Sequence, residues 1–382
     1  MKKTLIALAA LAATGAFAQS SVTIYGQVDL GVATVKDSFA AGVLDANAHD
    51  FNQTGVTSGK QYTSRIGFKG TEDLGGGLKA NFALEYALTP NVETNAMKVR
   101  TGTVGLSGDF GALTVGRMTT PYYNVEIAMD LVGGGNNNLG NTPGYVVSNH
   151  NLNGGRVDNA VQYTTPNING FTGAVQVSSG ANSVIDSTSG KETVGKGYGL
   201  SGIYAAGPLV AGVAYQSASN PGKQIAGLTT VTGALVSNVL GDLVATGGTS
   251  ANVAGFGLGS SEVKVWVAGA SYDFGVAKAS LAYSDLTDKQ QSGAADVKSK
   301  GYNLSVAVPF GATTVAANLG RATLEQAGVF DGDITGYQLL ASYALSKRTN
   351  AYATYGNDKL DISGAGEVLK RTSTAVGIRH TF

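Results

Sequence analysis

Cysteine is absent from the 382 residues. Disulfides and thiolate metal sites are therefore excluded, and the absence fits a chain that crosses an oxidising compartment unfolded. Charge is scarce as well, at 14% of residues, with 26 basic and 26 acidic side chains. Setting aside Lys2 and Lys3 leaves 24 basic against 26 acidic residues, a net charge of −2. That balance gives no footing for nucleic acid or for a basic membrane-surface patch. Histidine occurs three times, at His49, His150 and His380, and no Gly-x-Ser-x-Gly or comparable context accompanies any of them. A rim-sited Ser-His-Asp centre thus has no support, and no enzyme, metal ion or cofactor is expected. The run Gly133-Gly134-Gly135-Asn136-Asn137-Asn138 is not followed by Lys-Ser/Thr and reads as flexible loop rather than as a phosphate cradle. After residue 18 there is no apolar run of membrane-helix length.

What is present begins with an export signal. Met1-Lys2-Lys3 is a charged start, Leu5 to Ala13 is a short apolar run, and Ala16-Phe17-Ala18 is a small-x-small cleavage site. Residues 1–18 are expected to be removed, leaving a mature unit of 19–382. Glycine, at 55, is about twice ordinary usage, and 17 Tyr outnumber 12 Phe. Export without a helical span leaves an outer-membrane β-barrel or a secreted all-β protein.

Period-two alternation recurs along the mature chain. Leu78, Ala80, Phe82, Leu84, Tyr86 and Leu88 oppose Lys79, Asn81, Ala83 and Glu85, and Tyr302, Leu304, Val306 and Val308 oppose Asn303 and Ser305. Tyr337, Leu339, Ala341, Tyr343 and Leu345 alternate with Gln338 and Ser342, with Leu340 out of pattern. Sixteen such segments are predicted, near 22–35, 60–70, 77–89, 97–107, 112–120, 156–165, 170–179, 197–206, 208–218, 261–274, 275–284, 300–309, 311–321, 335–345, 347–356 and 372–382. Half-apolar segments of about ten residues suit a bilayer-spanning barrel, and the even count fits a single-chain bacterial one. The connections alternate too. Long ones at 36–59, 121–155, 180–196, 219–260, 285–299, 322–334 and 357–371 are interleaved with tight turns such as Gly108–Gly111 and Phe310–Gly311. Long external loops and short periplasmic turns follow from insertion from one side. Lipid-facing backbone must pair all round, so the predicted fold is a closed antiparallel sixteen-stranded barrel around an aqueous lumen. Segment 219–260 is predicted to be an external excursion. A further strand pair, making eighteen, is the alternative.

The chain resembles the general porins of Gram-negative bacteria, of the β-proteobacterial type. The resemblance rests on Ser20-Ser21-Val22-Thr23-Ile24-Tyr25-Gly26, on the block Ser64 to Leu78, on the block Val104 to Arg117, and on Val376-Gly377-Ile378-Arg379-His380-Thr381-Phe382. It implies an outer-membrane homotrimer, each subunit a water-filled channel for small hydrophilic solutes and ions. It also implies that a third loop, here 118–155, folds into the pore, although the Pro-Glu-Phe-Gly motif of enterobacterial porins is missing. The terminal Phe382 resembles the signal that the barrel-assembly machinery reads before insertion among outer-membrane lipids. A substrate-specific channel remains the alternative function.

Parity identifies lumen residues. Ile66 and Phe68 outward place Arg65 and Lys69 inward, and Met97 and Val99 outward place Lys98 and Arg100 inward. Val104 and Leu106 then demand a parity switch at a bulge. Val157, Val161 and Tyr163 outward place Arg156, Asp158 and Gln162 inward. The candidate constriction is Arg65, Arg100 and Arg156 on one wall, facing Glu126 and Asp130 of the inserted loop. Arg117 lies within a resembling block but shares parity with Leu113 and Val115, which ranks it lower, at the rim.

Overall fold

A computed structural model describes residues 21–40, 49–93, 97–132, 155–179, 184–185, 192–193, 195–219, 260–290, 295–328 and 330–382. The predicted signal segment 1–18 lies outside the described residues, as does most of the 219–260 segment.

The strands are β1 (Ser21–Phe39), β2 (His49–Ser58), β3 (Arg65–Gly75), β4 (Leu78–Ala87), β5 (Lys98–Gly108), β6 (Gly111–Thr119), β7 (Arg156–Thr164), β8 (Phe171–Ser179), a two-residue pair β9 (Val184–Ile185) and β10 (Glu192–Thr193), β11 (Lys196–Ala206), β12 (Leu209–Ser219), β13 (Ser260–Asp273), β14 (Lys278–Gln290), β15 (Val297–Phe310), β16 (Thr313–Gln326), β17 (Phe330–Ala344), β18 (Thr349–Ile362) and β19 (Gly366–Thr381). The helix α1 (Pro121–Ala128) follows β6. β2 and β3 lie end to end along β1, so together they form one wall strand. With β9 and β10 outside the wall, the result is a closed barrel of sixteen antiparallel strands. Wall strands pair with their sequence neighbours, and β19 closes on β1 with Gln27 opposite Thr381. β12 pairs directly with β13, Leu209 opposite Tyr272 through Ser219 opposite Glu262, so no further strand pair enters the wall between them.

The barrel is inside out relative to a soluble domain. On β15, Tyr302, Leu304 and Val306 are exposed outward, while Asn303, Ser305 and Ala307 are buried inward. From Tyr302 to Phe310 the strand rises roughly 26 Å, or about 19 Å of depth once tilted, which is close to the apolar band of an outer membrane. Phe171, Tyr204, Phe274, Phe310 and Tyr343 form a lower belt by the short turns. The turns have the chemistry they require. Asp73 and Asp273 each accept a hydrogen bond from the glycine N–H two residues on, at 2.8 Å, and Gly75 and Gly275 there have positive φ.

Three departures from the sequence reading have physical causes. The expected loop 36–59 contains strand β2, because β1 continues to Phe39 and offers a free edge. The break between β2 and β3 is held by Asp29, whose buried carboxylate accepts Gln61 N–H at 2.8 Å, Tyr62 N–H at 2.6 Å and the Tyr352 hydroxyl at 2.6 Å. The C-terminal strands also outrun their apolar patterns, since the sheet continues past the membrane. β17 and β18 pair from Gly332 opposite Ile362 to Ala344 opposite Asn350. Finally, Asp158 faces outward. Two residues, Asp158 and Asn159, oppose Arg117 where the β6–β7 register slips, and Asn159 takes a left-handed φ of 52°.

Candidate functional site

The anticipated parity switch on β5 occurs at Arg100. Thr101 pairs with Glu85 and Val99 with Tyr86, leaving Arg100 as the extra residue. The bulge turns its side chain into the lumen, where Arg100 Nε donates to Glu85 Oε1 at 2.7 Å. Arg65 Nε lies 3.7 Å from the other oxygen of the same carboxylate. Two guanidiniums therefore share one carboxylate on adjoining strands. Arg156, at the start of β7, stands over the Tyr123 ring at 5.6 Å and within the electrostatic reach of Arg100 and Glu85.

The segment after β6 runs inside the barrel. Thr120 caps α1, its hydroxyl accepting Tyr123 N–H at 3.1 Å, and Pro121 occupies the first helical position. Tyr122 and Val125 of α1 pack against Ala214, Val263, Val265, Val267 and Leu286 of the far wall. Ser280 donates to the Met129 carbonyl at 2.6 Å. Val132 then reaches Ala307, Ala316, Leu340 and Tyr352. The out-of-pattern Leu340 thus points inward because it meets the inserted segment. Burial first, and the Glu126 carboxylate second, push the Tyr122 phenol well above its usual range, so it stays neutral. Residues 133–154 of the expected constricting loop lie outside the described residues.

The expected site residues therefore separate. Arg65, Arg100 and Arg156 gather on one wall. Asp130 acts on Tyr62, which also carries the Arg379 guanidinium 4.3 Å above its ring. Glu126 is buried beside Tyr122 and Tyr123 and has only 5% exposure. Arg117 sits opposite Gly102 on the outer face, paired with Asp158 and donating to the Val99 carbonyl at 2.8 Å. Sequence reading passed over Arg379, whose Nε donates to Asn350 Oδ1 at 3.1 Å. Its parity between the outward Ile378 and His380 would have found it.

A profile described as Gram-negative porin matches residues 4–363. The chain belongs to the Gram-negative porin family. Outer membrane porin protein 32 of Delftia acidovorans is 33% identical over the whole of both chains. An outer membrane porin protein of Bordetella pertussis is 31% identical, again over both full lengths. Among solved structures, the anion-selective porin from Comamonas acidovorans superposes with a TM-score of 0.70 at 28% identity, covering 95% of this chain and 100% of that one. The trimer form of OmpT from Vibrio cholerae shares the fold, with a TM-score of 0.64 at 15% identity over 95% and 99% of the two chains. This porin is an outer-membrane channel. Its polar lumen passes small hydrophilic solutes and ions, and its outer face is mostly apolar.

Proposed function

We propose that the channel favours anions at a constriction walled by Arg65, Arg100 and Arg156, with Arg379 beyond them and Asp130 on the inserted segment. The observation that carries this is the shared carboxylate. Arg65 and Arg100 divide Glu85 between them, which leaves net positive charge on a lumen surface. Charge in a narrow, poorly screened gap sets ion preference more strongly than the chain's overall balance of −2. The anion-selective character in the name of the Comamonas relative supports the same sign. No covalent chemistry belongs to this reading, because solute moves down its gradient past fixed charges. The decisive measurement is the reversal potential of single channels in a salt gradient. Arg100→Gln is expected to lower the anion-to-cation permeability ratio, more steeply at low salt, and Asp130→Asn to raise it. An Arg100→Gln channel with an unchanged reversal potential at both salt levels would remove Arg100 from the constriction.

The working unit in this proposal is a homotrimer. Tyr198, Tyr215, Trp266, Tyr283, Tyr302, Tyr337 and Tyr355 form an upper belt on strands between β11 and β18, as expected where lipid headgroups lie. Among the described residues the sector from β19 through β1 to β8 has only Tyr86 at that height, and it carries the outward pair Arg117–Asp158. Charge on a lipid-facing wall at mid-depth costs about 2–4 kcal/mol, so this sector fits a partner copy better than lipid.

A further inference from the structure

Two carboxylates meet one guanidinium on the inner wall, across β18, β19 and β1. Asp358 lies opposite Arg371, and Arg371 opposite Asp37. The guanidinium is committed to one of them. Arg371 Nε donates to Asp37 Oδ1 at 2.6 Å and Nη2 to Asp37 Oδ2 at 2.8 Å, a neutral bidentate pair. Asp358 is only 2% exposed, and its Oδ1 has no hydrogen-bond partner among the described residues. A buried carboxylate with no counter-charge of its own is costly.

The surroundings of that oxygen are organised around Gly356. Tyr352, Thr354, Gly356 and Asp358 share the inward face of β18. Asp358 and Thr354 stand on either side of Gly356 along the strand, each roughly 7 Å away between backbones. Ser373 on β19 and Gln338 on β17 lie opposite Gly356, at about 5 Å across the ladder. Gly356 brings no side chain to the middle of this ring. Thr354 Oγ1 and Ser373 Oγ are buried and, like Asp358 Oδ1, have no hydrogen-bond partner among the described residues. Buried polar atoms are nearly always satisfied, yet here three unsatisfied oxygens flank one glycine.

We infer that Gly356 is the floor of a binding site for one potassium-sized alkali cation. The donor set is oxygen only, which suits a hard cation and no thiolate- or imidazole-seeking metal. One carboxylate and two neutral hydroxyls match a single positive charge, since Arg371 already neutralises Asp37. Calcium sites draw on more oxygens and more carboxylates, and magnesium demands short, near-octahedral contacts that a ring this wide does not offer. A water molecule would use the lone pairs but leave the Asp358 charge unanswered. The site lies just external to the place where the inserted segment meets the wall, because Thr354 is opposite Leu340, and Leu340 packs on Val132. It is separate from the constriction arginines and belongs to the wall behind the inserted segment.

The test uses the refolded full-length porin with rubidium as the probe, an anomalous scatterer close to potassium in size. Crystals grown in rubidium chloride are expected to show one anomalous peak over Gly356, within contact distance of Asp358 Oδ1. Asp358→Asn, which keeps the shape and removes the charge, should lower that peak at least tenfold. Gly356→Ala, which puts a methyl group on the floor and keeps the charge, should do the same. In solution, thermal unfolding in a non-ionic detergent should have a higher midpoint in potassium chloride than in choline chloride of equal ionic strength, and the difference should vanish in both variants. Heat-modifiable gel mobility certifies that each variant forms the barrel, and either variant alone suffices if the other does not fold. A wild-type crystal without the peak would overturn the assignment. So would a peak of equal height in a folded variant, equal wild-type midpoints in the two salts, or a salt difference that persists in a folded variant.

Discussion

Asp29 shows how much one side chain organises here. It accepts three hydrogen bonds in a fully buried place, and two come from backbone N–H groups that have no sheet partner at the break in the wall. Asp29→Ala leaves those donors unpaired, at about 1–3 kcal/mol each. The expected result is a lower temperature for the heat-induced gel shift of the folded barrel. Tyr62, held by the same carboxylate, is the shelf under Arg379. Arg379→Gln should therefore reduce anion preference at least as much as Arg100→Gln, since Arg379 hydrogen-bonds a neutral amide where Arg100 bonds Glu85. Equal reversal potentials for wild type and Arg379→Gln would place that residue away from the narrow zone. At this scale parity alone gave the inward direction of Arg65, Arg100 and Arg156, and it gave Arg117 its outward one. It failed at Asp158 because a bulge adds a residue without any change in hydropathy. The only local hint is Asn159, a residue type that tolerates left-handed backbone.

The element that defines the lumen is α1 with its continuation to Val132. It is fixed to the far wall by apolar contact, with Tyr122 fully buried among Val263, Val265 and Val267. Tyr122→Ala should remove about 3–5 kcal/mol of that packing. The segment would then leave the wall more readily, and the expected readout is an altered and noisier single-channel conductance with normal barrel yield. Conductance indistinguishable from wild type would mean that the remaining contacts suffice. The strands were legible in the sequence because lipid on one side and water on the other impose period two. α1 was not read as a helix, although Thr120-Pro121 is a start signal for one. Inward apolar residues on β13, and Leu340 on β17, break the alternation for a reason that lies far away in sequence. A pattern rule cannot anticipate a partner that arrives from another loop.

For the whole molecule, closure depends on the seam. Phe382 exchanges two backbone hydrogen bonds with Gly26, both at 3.1 Å, and its ring covers that glycine, where any Cβ would collide with it. Deleting Phe382 removes both bonds and the terminal aromatic, while every lumen residue stays. Outer-membrane yield should fall sharply, and the few assembled channels should conduct normally. Wild-type yield would dismiss the assembly role. Arg117→Glu, which sets like charge against Asp158 on the sector assigned to the subunit contact, should lower the temperature at which the trimer band of unheated gels is lost. The strand count and the family were legible from loop alternation and four sequence blocks. The proposed division of the wall between lipid and a partner copy rests on the register.

The seam also dictates a timetable. Among the described residues, the other wall contacts join strands that lie close in sequence and can form as soon as both exist, whereas Gln27 must wait for Thr381. Bringing such distant ends together costs about 5 kcal/mol of chain entropy, by the logarithmic scaling of loop closure, unless the intervening sheet has already curled. Until then the curling sheet carries two bare edges, each a template for pairing with the wrong chain. Closure is thus the last event and the hazardous one. The time the protein spends as an open ribbon, rather than its final stability, sets how much of it survives its own assembly.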